Sequence, residues 1–228
     1  QVGSLDGGAL RLDSTPDVTI KDTVFSHNKA GNAGGAIFVI SGTSGSQVTL
    51  RRVRSNKNEA GARGGMLAVM RNAIVNTFNT TSDDDKSRLG SSIYFESSTL
   101  ECEALEVRNN VAESAFNHGS AHDGTRNEGS SIIECAAGEL TLRGNSRVEG
   151  NTAPTIIHGA FCKAKFHNVT VSLNSGTGVS MEIGSNVEMI SSMFGSNIAT
   201  GQDGGAVRCF LCNSLHIGGG SLFRNNSA

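Results

Sequence analysis

The sequence has no apolar run approaching about 18 residues, so it contains no transmembrane helix. Charge is scarce as well. Asp, Glu, Lys and Arg make up 18% of the 228 residues and the formal net charge is -2, which gives no electrostatic reason to expect nucleic acid or an anionic membrane surface. No stretch carries a sustained 3.6-residue period, so helix is nearly absent. Tryptophan is missing, tyrosine occurs once and proline twice. The only basic run, Arg51-Arg52-Val53-Arg54 beside Lys57, has no aromatic residues interleaved and reads as a solvated strand edge. Regular Thr-x-Thr rows are missing, and with them an ice-binding face. What is abundant is glycine, 29 residues of it.

The glycines fall into a pattern. A small-small-small-apolar unit recurs as Gly7-Gly8-Ala9-Leu10, Gly34-Gly35-Ala36-Ile37, Gly64-Gly65-Met66-Leu67 and Gly204-Gly205-Ala206-Val207. Between these units stands an apolar residue followed three positions later by Asn: Phe25/Asn28, Val53/Asn56, Val107/Asn110, Val148/Asn151, Val171/Asn174, Phe194/Asn197 and Phe223/Asn226. After Phe78 the corresponding position is Thr81. A phrase returning about every 25 to 30 residues marks a solenoid.

Residues 34–56 serve as the pattern coil. Gly34 to Ile40 is a short apolar run, 41–46 is a Gly- and Ser-rich turn, Val48-Thr49-Leu50 alternates as a second strand, and Val53 leads to Asn56 at a corner. Val18-Thr19-Ile20, Leu140-Thr141-Leu142, Val187-Glu188-Met189 and Leu215-His216-Ile217 repeat the middle strand. Three short strands per coil and about eight coils predict an all-β parallel β-helix, its coils about 4.8 Å apart in a rod on the order of 40 Å long. Leu10, Ile37, Leu67 and Val207 should form one interior ladder. Phe25, Val53, Phe78, Val107, Val148, Val171, Phe194 and Phe223 should form another. Asn suits the corner because it tolerates the left-handed conformation of a sharp bend and because its amide can bond to the Asn above and below. The double Gly admits a bend where a Cβ would clash.

The chain opens at Gln1 inside a repeat and closes on Asn226-Ser227-Ala228 directly after one. Solenoid ends need polar caps, and neither end shows one. Residues 1–228 therefore read as a single β-helix segment of a longer protein, with a loop insertion near 111–128 in the longest step, from Asn110 to Asn151.

The two motifs together resemble the polymorphic outer membrane protein repeat, marked by Gly-Gly-Ala followed by Ile, Leu or Val and by Phe-x-x-Asn. Gly34 to Ile37, Gly204 to Val207, Phe25 to Asn28, Phe194 to Asn197 and Phe223 to Asn226 match closely. Gly90-Ser91-Ser92-Ile93 and Gly129-Ser130-Ser131-Ile132 depart from the first motif, and Val replaces Phe in four coils. The resemblance implies a right-handed β-helix of the pectin and pectate lyase-like kind, acting in adhesion as a surface-exposed passenger of bacterial autotransporters or in large extracellular proteins of eukaryotic microbes.

The reading of function that follows is a non-enzymatic, secreted or cell-surface structural and adhesive segment. Its loops, 82–89 and 111–128, would carry recognition of a protein or glycan, or of further repeats and other subunits. Two alternatives stand beside it: a polysaccharide lyase or hydrolase of this fold, and a building block of an extracellular filament or cell-wall assembly. The candidate ligand or cation site is the acidic run Asp83, Asp84 and Asp85 with His118, His122 and Asp123, near Arg88 and Arg126. Ca²⁺ is the one cofactor such carboxylates suggest; otherwise no cofactor, resident metal or catalytic residue is assigned. His158, His167 and His216 stand singly, as turn or surface residues. Asn79, Asn168 and Asn225 lie in glycosylation sequons. Five cysteines are an odd number, so in an oxidising compartment at least one lacks a partner within the segment. Cys135 and Cys162 occupy similar places in successive coils and are within disulfide reach. Cys209-x-x-Cys212 lacks the helix of a redox motif and the ligands of a zinc site, so a core thiol or a disulfide to an adjacent coil is expected there.

Overall fold

The computed structural model describes residues 6–42, 45–112, 130–199 and 204–228. Among them there is no helix. Every strand pairs in parallel, in three sheets that wind as a right-handed β-helix with three main strands per coil. Sheet B runs from Asp17–Lys21 to Ser214–Gly218 and sheet C from Val24–Ser26 to Leu222–Arg224, each with eight strands, which gives eight rungs and about seven turns. Sheet A runs from Leu10–Asp13 to Val207–Cys209 and also takes in short corner strands such as Lys29–Ala30 and Glu59–Ala60. In the two coils of Thr152–Ala160 and Ser175–Glu182 the corner strand and the sheet A strand merge, so the double-Gly excursion is missing there.

The interior is a set of vertical columns. In sheet A the register places Leu10, Ile37, Leu67, Ile93, Ile133, Ile157, Val179 and Val207 over one another. The sequence ladder is therefore continuous, and its middle members are fully buried, each such side chain contributing about 1.5–3 kcal/mol. In the fifth coil the column residue is Ile133, one position after the Ile132 that motif spacing selects.

The sheet C column differs from expectation at two rungs. It reads Phe25, Ser55, Ser82, Val107, Val148, Val171, Phe194 and Phe223. Val53 is buried one residue ahead of its strand, in the preceding corner. Phe78 lies on sheet B in line with Arg51, whose guanidinium sits 4.7 Å from its ring centre. The slip is a coincidence of spacing: Val53/Asn56 imitates the motif, while Ser55/Asn58 and Ser82/Asp85 occupy the places themselves.

The buried amide ladder accordingly passes through Asn28, Asn58, Asp85, Asn110, Asn151, Asn174, Asn197 and Asn226, not through Asn56 and Thr81. Asn151 shows the unit: its N–H and Nδ2 both donate to Asn174 Oδ1, at 2.9 and 3.1 Å. The left-handed conformation is carried by the residue before each amide, namely His27, Lys57, Asp84, Asn109, Gly150, Leu173, Ser196 and Asn225. Asn is thus selected for its amide alone, and the bend is assigned to its neighbour.

The double Gly divides its work similarly. Gly34 is left-handed, with φ 67°, and a Cβ on Gly35 would run into the carbonyl oxygen of Gly65 in the next coil. The first Gly turns the chain and the second lets adjacent coils touch.

Candidate functional site

The acidic run does not act as one cluster. Asp85 points into the solenoid and is fully buried. Its Oδ1 accepts the Asn58 N–H at 2.8 Å and Nδ2 at 3.0 Å, and its Oδ2 accepts the Ser82 hydroxyl at 2.7 Å. Burial is the largest influence and pushes its acid above the ordinary carboxylate range, against the hydrogen bonds from Asn58, Ser55 and Ser82. Asp83 faces outward, accepts Asn109 Nδ2 at 2.9 Å and lies 3.7 Å from Arg108 Nε. Asp84, left-handed at the corner, borders an open pocket of about 260 Å³ with Lys57, Asn58, Glu59 and Lys86. Residues 82–89 are thus strand, corner and strand rather than a free loop. His118, His122, Asp123 and Arg126, with most of 111–128, lie outside the described residues. Among those described, no three His, Cys, Asp or Glu side chains gather in metal-binding geometry.

The cysteines pair by coil geometry. Cys135 and Cys162 are bonded, with S–S 2.05 Å and Cα atoms 6.1 Å apart, so the bridge ties successive coils. Cys209 and Cys212 are bonded to each other across one corner, a local bridge in place of a link to an adjacent coil. Cys102 is buried and unpaired, and burial pushes its thiol up to about 12. Asn79, Asn168 and Asn225 are exposed and left-handed, the first two at the same corner three coils apart. Asn168 Nδ2 donates to Asn145 Oδ1 at 2.8 Å.

The richest polar array lies elsewhere, on the outer face of sheet A. The residue that follows each column residue points outward, and in successive coils these are Tyr94, Glu134, His158, Ser180 and Arg208. Glu134 Oε1 lies 2.8 Å from His158 Nδ1, and Glu134 Oε2 accepts the Ser131 hydroxyl at 2.7 Å. Glu182 accepts Arg208 NH1 at 2.9 Å and stands 3.9 Å from His158 Nε2. Tyr94 donates to Glu96 at 3.1 Å, and Arg63 covers its ring at 4.9 Å. Burial disfavours a charged His158, yet the hydrogen bond and charge of Glu134, with the charge of Glu182, outweigh it and raise its basicity. Each carboxylate in the row thus has a cationic neighbour.

Beside this row runs an apolar ridge, Phe161, Ile183 and Leu211, which are 63, 42 and 65% exposed. Phe161 and Leu211 are also left-handed, with φ 53° and 54°. Bulky side chains there carry both backbone strain and exposure. In the sequence alone His158 stands as an isolated turn or surface residue, and nothing singles out Glu134, Glu182, Arg208 or the ridge. The signal was positional: each row member stands one residue after an interior column residue, which becomes visible only once the register is fixed.

No helix among the described residues is long and apolar enough to cross a membrane, which says nothing of a β-barrel. No protein-family model, no curated protein and no solved structure matches the chain.

Proposed function

We propose that this chain is a non-enzymatic extracellular structural and adhesive β-helix segment of the polymorphic outer membrane repeat type. The observation that carries the reading is the outer face of sheet A. Its Glu134, His158, Glu182 and Arg208 are occupied with one another, while the neighbouring Phe161, Ile183 and Leu211 are left open to solvent. A rigid polar surface edged by exposed apolar side chains suits recognition of a protein or glycan on a cell surface. The two disulfides suit an oxidising, extracellular setting, and the three exposed sequon asparagines suit glycosylation there.

Binding of the labelled chain to cell surfaces and to immobilised matrix glycans tests the reading. Phe161→Asn with Leu211→Asn should abolish binding without loss of folding. Binding that persists unchanged in the double variant would remove the ridge from the proposal. The polysaccharide lyase or hydrolase stands second, because a carboxylate–imidazole–carboxylate–guanidinium row is the polar set such chemistry would draw on. It would gain if acidic polysaccharides released new chain ends in the presence of the chain, and if Glu134→Gln and His158→Gln stopped that release.

A further inference from the structure

The basic run Arg51-Arg52-Val53-Arg54, which the sequence presents as a solvated strand edge, is folded around the corner between sheets B and C. Arg51 ends a sheet B strand, Arg52 takes the left-handed bend with φ 50°, and Arg54 opens a sheet C strand. Val53 turns inward and is fully buried. The three guanidiniums therefore fan outward from one corner, and all three residues are exposed. They belong to the second coil, so the register fixes what faces them along the rod on both sides. Arg51 lies between Lys21 and Phe78, and Arg54 between Val24 and Thr81.

Elsewhere on the rod an outward cation often faces a carboxylate one coil away. Lys29 bonds Glu59 at 2.8 Å, Lys163 bonds Glu139 at 3.1 Å, and Arg143 lies 3.5 Å from Glu103. At this corner only Arg52 is matched, through two bonds to Asp22, one of them 2.7 Å. Among the described residues no carboxylate comes within ion-pair reach of Lys21, Arg51 or Arg54. Four cations thus stand against one carboxylate, in a chain whose formal net charge is -2. Like charges on coils about 4.8 Å apart repel one another, and a bound anion relieves that repulsion. Phe78 holds the Arg51 guanidinium over its ring at 4.7 Å. The N–H groups of that guanidinium have no protein acceptor among the described residues, so they are free for an anion that takes two of them at once.

We infer that this corner binds a sulfated polysaccharide. A sulfate offers a pair of oxygens to the guanidinium fork. A sulfated sugar can carry more than one anion, which suits cations set this close, whereas each sugar of a polyuronate carries one. A polysaccharide strand can follow a convex corner, and a flat lipid surface cannot. Nucleobases have no open ring to stack on, because Arg51 covers Phe78. The inference goes beyond the ridge reading and uses a different corner of the rod. Its contacts are exposed and therefore weak and salt-sensitive, so attachment to a surface still needs the ridge.

Calorimetric titration of the chain with free heparin over a NaCl series tests it. Asn79 takes the same bend one coil on, so every version carries Asn79→Gln to keep an N-glycan off the corner. Heparin should bind, with an affinity that falls as salt rises, while fully desulfated heparin and polygalacturonate should not. Arg51→Gln with Arg54→Gln should weaken binding by about tenfold or more. Asp22→Asn, which frees Arg52, should tighten it, a gain that a merely structural role would not give. Lys163→Gln with Lys165→Gln removes the same charge from sheet B in a later coil and should leave binding unchanged. Phe161→Asn with Leu211→Asn should still bind free heparin, so the two proposals fail separately. Equal weakening in both charge variants overturns the inference. So does equal binding of polygalacturonate or single-stranded DNA, and so does a chain that ignores heparin even at low salt.

Discussion

Asp85 stands where seven other coils place an asparagine. An amide offers both a donor and an acceptor to the ladder, whereas a carboxylate offers acceptors only. The missing donor is compensated from the neighbouring column. Ser82, which replaces the usual apolar residue there, bonds Asp85 Oδ2 at 2.7 Å and lies 3.4 Å from Asn110 Oδ1. Ser92 joins the same hydroxyl at 2.7 Å. The exchange of Asn for Asp thus belongs with the exchange of Phe or Val for Ser. Because burial raises the acid's folded-state pKa above its unfolded value, its contribution to stability is fully present below the ordinary carboxylate range. It is lost as pH rises through the folded pKa. Asp85→Asn should remove this loss and stabilise the chain at neutral pH by roughly 1–3 kcal/mol, with little change in acid. Urea melts of both proteins across acidic to neutral pH check it, and a variant less stable than wild type at neutral pH contradicts it.

The corners, at the next scale, show what side-chain patterns alone reveal and what they conceal. The sequence shows where a bend falls, because Asn and Gly mark it. It does not show which residue bends, since Leu173 and Phe161 take the left-handed conformation that any propensity would assign to Asn or Gly. The coil-to-coil contacts above and below override local preference there. Leu173 is 67% exposed, so its side chain offsets little of the strain. Leu173→Asn should therefore raise stability by about 1 kcal/mol, read as a higher thermal midpoint. Gly35 gives the opposite case, since any Cβ meets the Gly65 carbonyl. Gly35→Ala should cost more than about 3 kcal/mol in the same melt. The outer row adds a test that crosses coils. His158 is surrounded by Glu134, Glu182 and Arg208 from the flanking strands, and the carboxylates prevail. Its imidazole should titrate above the ordinary histidine range by NMR, and Glu134→Gln should bring it down. A raised pKa means that the stability His158 gains from these carboxylates is present at acid pH and lost as pH rises through that value.

For the whole molecule, the coil count, the strand order and the sheet A ladder were legible in the sequence because columns repeat the same residue type at each step. The sheet C column was legible at six of its eight rungs and not at the other two, where serine stands in the apolar column and Val53 and Phe78 act as decoys. The outer row was hidden for a related reason. It joins unlike residues across five coils, and nothing in the local sequence around His158 mentions Glu134 or Arg208. A solenoid of this kind is held by contacts between neighbours only, so its stability is nearly a sum along one dimension. The Cys135–Cys162 bridge is an exception in kind, a covalent clamp across one step with a sequence separation of 27. On the chain-entropy account, closing a loop of that size stabilises by about 3 kcal/mol. Cys209–Cys212 closes a separation of only 3 and constrains far less of the unfolded chain. Cys135→Ser should thus lower stability by about 3 kcal/mol, and hydrogen exchange should show the loss of protection centred on Ser131–Ala136 and Thr152–Ala160, fading with each coil away. Cys212→Ser should leave those strands untouched. Equal and uniform loss of protection in both variants would mean that the rod unfolds as one cooperative body and that nearest-neighbour coupling does not describe it.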